Sequence, residues 1–439
     1  MEKVKAKIVE KKVIIPFILI TTLFALWGFA NDITNPLVAA FQTVMGMTTK
    51  KASLVQFAFY GGYTTMAIPA ALFMKKYTYK KGIILGLALF AIGALLFFPA
   101  AQFEIFGFFL VSLYILTFGL AFLETTANPY ILSMGDESTA TRRLNLAQSF
   151  NPVGSLAGMF VASKFILSAL NFEKRDKAGE LLSSTWNKAE EAMYRTEDLL
   201  TIRNPYVLLG LVIIIMLIII AISKMPKKAD HDSSLDFGPT FQRLMKNPKY
   251  YFGVISQVFY VGAQILCWTY IIHYAERIGI SKTTAQNYNI VAMTIFLLSR
   301  FICTFLLKYV NPSTLLKYFA MAGMVTMLGT IFIDGMGGLY CLIATSAFMS
   351  LMFPTIYGIS LKGLGEDAKL GSAGLVMAIV GGALMPIIQG AIIDCKVILS
   401  WPAENVSFVV PLISFIVIAF FGHWSQKYHK LEIVNNAKP

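Results

Sequence analysis

Residues 82–101 read GIILGLALFAIGALLFFPAA, a stretch without a single charge. A hydrocarbon core near 30 Å thick asks for about 20 apolar residues at a rise of about 1.5 Å each. This stretch therefore reads as a membrane-crossing helix. Pro205–Ser223 and Phe408–Gly422 are of the same kind, and the whole chain is 56% hydrophobic and 14% charged, with a mean hydropathy of +0.66. Soluble domains average about 25% charged residues, so the composition implies a bundle of membrane helices and not one anchor.

Working outward, the breaks in hydropathy place helices near 13–45, 52–74, 82–101, 106–134, 143–170, 205–224, 250–273, 284–307, 317–333, 338–361, 373–393 and 407–424. The fold expected is all-α, with twelve transmembrane helices. Met1–Lys12 is basic and leads into a span too long for a signal-peptide core, with no A-x-A site, so that span is kept as the first helix. The mixed-charge segment Asn171–Asn204 reads as an outer loop with an amphipathic helix. Met225–Lys249 carries Pro226 and Gly238-Pro239 and reads as a linker. The domains expected are a six-helix bundle over 1–224, a cytoplasmic linker over 225–249 and a second bundle over 250–439. Two echoes support a repeat: Asn128-Pro129 before Gly135-Asp136-Glu137 matches Phe353-Pro354 before Gly365-Glu366-Asp367, and Leu72–Lys75 matches Phe305–Lys308.

A net charge of +13 and a pI near 9.4 could suggest nucleic acid. Yet the basic residues collect in short loops, as at Lys75, Lys76, Lys80 and Lys81, then Arg142 and Arg143, then Lys224 to Lys249. No continuous stripe fits a phosphate backbone, so no nucleic-acid partner is expected. The pattern fits the positive-inside rule. It places both termini and the linker in the cytoplasm, Asn171–Asn204 in the periplasm, and the chain in a bacterial inner membrane with the lipid bilayer as its solvent. The four cysteines have no metal or pairing pattern, no His/Cys/Asp cluster suggests a metal site, and no G-x-x-x-x-G-K-[ST] run suggests ATP drive. No cofactor is expected, and a monomer is.

Carboxylates at membrane depth usually face a cavity or a partner, because burying one costs roughly 2.5 to 3.5 kcal/mol even by insertion scales. Two stand out. Asp32 lies roughly 28 Å into the first helix at 1.5 Å per residue, among Asn31, Asn35 and Pro36, where Pro36 should break or bend the helix. Glu124 lies in the fourth span, one turn before Asn128 and on nearly the same face. A carboxyl held out of water is a candidate for loading and releasing a proton. The alternative for each is a structural carboxylate.

Amides recur at similar depth: Gln56, Gln148, Asn151, Gln264 and Gln389. A sugar needs directional donors and acceptors beside an apolar or aromatic wall. Gln148 and Asn151 share one helical face, Gln264 and Trp268 another. The alternative is interhelical glue, a common use of such side chains in membranes. Tyr60, Tyr63, Trp27 and Tyr270 could stack on a sugar or simply pack. Arg300, in the eighth span, reads as a helix-fixing residue.

Several long motifs also resemble a known family. Leu26-Trp27-Gly28-Phe29-Ala30-Asn31, Gln56–Tyr63, Leu123–Tyr130, Arg143–Asn151, Tyr260–Gln264 with Cys267-Trp268, Ala347–Ser350 and Lys362–Gly365 are similar, in order, to the fucose–galactose–glucose:proton symporter branch of the major facilitator superfamily. The resemblance implies twelve helices, alternating access, import of L-fucose with a proton, and Glu124 as a glutamate in the sugar cavity. It also implies an aspartate in the first helix, where Asn35 stands here; Asp32, one turn earlier, could replace it. Proton coupling is thus expected at Glu124 and Asp32, and sugar contacts at Glu124, Asn35, Gln56, Tyr60, Asn128, Gln148, Asn151, Gln264 and Trp268. Rival readings are a transporter or facilitator of another hexose such as galactose or glucose, a membrane enzyme acting on lipid-linked sugars, and a sugar receptor that does not transport.

Overall fold

The structure, a computed structural model, describes residues 7–34, 37–47, 49–52, 54–174, 182–226, 237–280, 282–393, 395, 397–398 and 401–436. Eleven of its helical spans are long and apolar enough to cross a membrane, and the helix Leu54–Lys76 brings the layout to the twelve expected. In chain order they are α1 (Lys11–Thr34), α2 (Leu54–Lys76), α3 (Tyr79–Phe103), α4 (Phe106–Ser133), α5 (Glu137–Ala169), α6 (Lys188–Ile222), α7 (Pro248–Arg277), α8 (Thr284–Leu306), α9 (Pro312–Phe332), α10 (Met336–Leu361), α11 (Gly365–Ile393) and α12 (Ala403–Tyr428). A short helix, Leu37–Val44, follows α1. The break expected at Asn35 and Pro36 lies outside the described residues.

Four local features differ from the sequence expectation. The sixth helix starts at Lys188 and not near 205, because Asn187 and Glu190 form a reciprocal capping box that satisfies the first free N–H groups. The polar run before 205 is therefore the first turns of α6, with Asp198, Leu199 and Ile202 on its buried side. The linker contains a helix, Phe237–Lys246, which buries Thr240 and Leu244 and leaves its basic residues outward. The fifth span changes character at Ser149–Phe150, where Pro152 opens a new helix, Asn151–Val161, at a position that needs no N–H donor. A two-residue antiparallel pairing of Val397–Ile398 with Trp401–Pro402 was not anticipated.

The chain forms two compact units, one of Ile15–Ala127 and Phe150–Asp232, the other of Met1–Ile14, Asn128–Ser149 and Ser233–Pro439. In the first, α1 and α5 touch through glycine. A Cβ on Gly154 would stand 1.7 Å from the Ala25 carbonyl oxygen, and one on Gly28 would stand 2.1 Å from that of Asn151. Small residues of this kind let membrane helices pack backbone to backbone. Asp198 accepts backbone N–H bonds from Asn171 (2.8 Å) and Phe172 (3.1 Å), which ties the preceding segment to α6. At the other end of α6, Lys80 donates to the Ala221 and Ser223 carbonyls at 2.7 and 2.8 Å, a cation on free C-terminal acceptors.

The second unit has an apolar core that includes Leu266, Phe296, Met327, Leu342 and Phe415. Arg143 is fully buried and donates to the Ile131 and Leu132 carbonyls at 2.8 and 2.6 Å, closing the end of α4. Arg277 pairs with Asp334 at 2.5 Å, and this hydrogen bond holds the Asp334 carboxyl below its ordinary value.

Candidate functional site

In the first unit, an aromatic wall joins α1 and α2. Trp27 Nε1 donates to the Tyr63 hydroxyl at 2.7 Å, and Phe24 stacks on Trp27 with ring centroids 5.8 Å apart. On α2, Phe59 meets Tyr60 and Tyr63 edge-on at 5.7 and 5.9 Å. Tyr60 and Tyr63 are a helical turn apart and so present their hydroxyls from one side. Glu124 acts electrostatically on Tyr63, and Asp32 on Tyr60.

The two carboxylates differ in setting. Glu124 is 1% exposed, between Leu123 and Thr125, whereas Asp32 is only half-buried. Aromatic faces, phenol hydroxyls and a carboxyl are the elements that recognise a sugar.

Asn151, expected as a sugar contact, donates to the Phe24 carbonyl at 3.2 Å. That bond ties α5 to α1. Gln56 falls within α2, but its side chain lies outside the described residues, as does Asn35.

The remaining amides lie in the second unit. Gln148 Nε2 donates to Asn128 Oδ1 at 2.8 Å, both side chains being buried. The backbone carbonyl of Gln148 accepts from Arg300 Nη1 at 2.9 Å, while Arg300 Nε donates to Ser350 O at 2.6 Å. Arg300 also lies over the Phe296 ring at 4.6 Å. Its helix-fixing role is thus visible as two backbone carbonyls held by one guanidinium. Trp268 donates to Ser346 Oγ at 3.3 Å and meets Phe296 edge-on at 5.0 Å, with Gln264 half-buried one turn away. Gln389 donates to Ser407 Oγ at 2.9 Å.

Three further polar residues were not singled out as site candidates in the sequence. Asn145 donates to Thr355 Oγ1 at 3.1 Å, and Gln257 and Tyr260 lie fully buried on α7. The signal for Gln257 was its position seven residues before Gln264, two turns along the same face. Among the described residues, no three His, Cys, Asp or Glu side chains come together as metal ligands would.

Comparison with known proteins adds the following. The profile of the Major Facilitator Superfamily matches residues 18–390. A Haemophilus influenzae protein named L-fucose-proton symporter is 62% identical over 426 residues, which are 97% of this chain and 100% of that protein. The L-fucose-proton symporter of Escherichia coli K12 is 35% identical over 95% of this chain and 94% of its own length. Among solved structures, the crystal structure of FucP, a Major Facilitator Superfamily transporter in the outward conformation, superposes with a TM-score of 0.86 at 34% identity, covering 94% of this chain and 99% of that one.

Proposed function

Because the chain belongs to the Major Facilitator Superfamily, we propose that it is a secondary transporter that imports L-fucose together with a proton by alternating access. The observation that carries this reading is the end-to-end identity with the H. influenzae symporter. Fucose is a deoxyhexose with an apolar methyl edge and a polar hydroxyl face. The wall of Trp27, Tyr60 and Tyr63 beside Glu124 offers both kinds of contact. In this reading Glu124 carries the proton and contacts sugar, and Asp32 is a secondary titrating group.

The same reading makes the halves 1–224 and 250–439 the moving bodies, with 225–249 a cytoplasmic linker between them. It sets the protein in a bacterial inner membrane as a monomer with both termini cytoplasmic. Differential binding of sugar and proton to the two states would drive the cycle. A membrane enzyme needs converging acids, bases or metal ligands at one face, and the relatives are named as symporters.

Cells expressing the chain should accumulate L-fucose, and a protonophore should bring the internal level down to the external one. Accumulation that survives collapse of the proton gradient would reject the coupling. Robust uptake of another hexose without fucose would reject only the substrate.

The topology has its own test. With Cys395, the exposed native cysteine, replaced by Ser, a cysteine placed at Ser183 should react with an impermeant maleimide in intact spheroplasts. Labelling that appears only after permeabilisation would invert the assignment.

A further inference from the structure

Two polar side chains on α7 are buried with no hydrogen-bond partner among the described residues. Gln257 and Tyr260 have no exposure, and among the described residues neither amide atom of Gln257 nor the Tyr260 hydroxyl has a partner. A polar group left so is costly, and its presence in a folded protein asks for a reason. Here the unpartnered atoms fall within one helical turn of the same helix.

Helical geometry puts them in a continuous stripe. At 100° per residue, Gln257, Tyr260, Gln264 and Trp268 fall within about 80° of arc and run about 16 Å along α7. The neighbours of the buried pair are defined. The Tyr260 ring meets Phe353 of α10 with centroids 6.1 Å apart. The Arg300 guanidinium of α8 acts on the Tyr260 hydroxyl. One turn below Gln257, Gly253 lies directly against Ser360 Oγ.

The chemistry of the pair is specific. An amide offers two donors and an acceptor, and a phenol one of each, with no net charge. That set suits a ligand hydroxyl, which both donates and accepts, and it suits an ion poorly. A closed contact covers this part of the unit: Asn145 donates to Thr355, Thr141 packs against Gly358, and Arg300 holds the Gln148 carbonyl.

From this we infer that Gln257 and Tyr260 form a second hydroxyl-binding station for the transported sugar, on the release side, engaged when the segment 140–148 parts from α8 and α10. The station rests on the sugar-transport reading above and extends it down α7 from Gln264 and Trp268. A lone structural water shares the same chemistry, and it is the competing outcome.

Equilibrium exchange in liposomes, which samples both faces of the full-length protein, separates the two. The panel is L-fucose and its 2-, 3- and 4-deoxy analogues. Gln257→Leu should raise the half-saturating concentration for L-fucose about tenfold, the loss of roughly one good hydrogen bond. One deoxy analogue, lacking the hydroxyl that Gln257 binds, should change by less than about twofold. Tyr260→Phe removes one oxygen and keeps the packing, so it decides by the same criterion even if Gln257→Leu fails to fold. A hydroxyl-selective loss in either variant supports the station. Equal losses for every sugar, as from a displaced structural water, or no change in either variant, overturn it. Wild type that exchanges no L-fucose overturns the transport reading itself, a failure distinct from a wild type that works and variants that show no selectivity.

Discussion

Glu124→Gln should abolish accumulation of L-fucose against its gradient and leave exchange of labelled for unlabelled sugar running. The substitution keeps size and hydrogen-bonding capacity and removes only the titratable proton. Glu124 is 1% exposed beside the aromatic wall, and an ionisable residue at membrane depth is the natural proton carrier in the symport reading. A protonated carboxyl and a glutamine amide are alike in shape and charge, and the variant should therefore mimic the loaded carrier. Exchange needs no net proton movement. Its rate in Glu124→Gln should also lose the pH dependence of the wild type. Asp32 is half-buried and can reach water in part, so Asp32→Asn should reduce accumulation severalfold at most. If instead Asp32→Asn loses accumulation and Glu124→Gln keeps it, the aspartate is the coupling site. Equal loss in both would point to a titration shared by the pair, with apparent pKa values that belong to neither residue alone.

How much of this was legible in the sequence depends on which physical signal each element carried. Apolar length alone located the spans, because a bilayer imposes a fixed length on a helix; Phe106–Ser133 was placed to within a residue. Where a polar run extended a helix beyond the apolar part, as at Lys188 to Asn204, hydropathy could not see it, although the capping pattern of Asn187 and Glu190 was there to be read. The carboxylates were legible because charge is rare at that depth. Amides were not separable into ligand and glue, since type and periodicity are the same for both. The structure adds the partners that periodicity cannot give: Asn151 donates to the Phe24 carbonyl and Gln389 to Ser407, whereas Gln257 has no partner among the described residues. Arg143, read as a loop charge, is a buried clasp on the end of α4 because the carbonyls it caps come from a preceding helix end folded back onto it.

Glycines carry the same ambiguity, and they give the second large effect: Gly154→Ala should destabilise the protein strongly, while Gly107→Ala should not. In sequence both are glycines within apolar spans. In the fold, a Cβ on Gly154 would lie 1.7 Å from the Ala25 carbonyl oxygen and 2.9 Å from its Cα, whereas one on Gly107 would meet nothing within 4 Å among the described residues. Helix propensity favours alanine by about 0.5–1 kcal/mol at either site. Overpacking against rigid backbone costs about 1–3 kcal/mol or more, so the clash wins at 154, and nothing opposes propensity at 107. Ala25 stands two residues before Trp27 on α1, so pushing α5 outward also shifts the Trp27–Tyr63 hydrogen bond that orders the aromatic wall. Thermal unfolding in detergent should show a lowered midpoint for Gly154→Ala, with L-fucose exchange reduced by at least about tenfold. Gly107→Ala should match or slightly exceed wild type in both. A Gly154→Ala protein that melts and exchanges like wild type would mean that α1 and α5 have room between their backbones, and the tight seating of the site on that helix pair would be wrong.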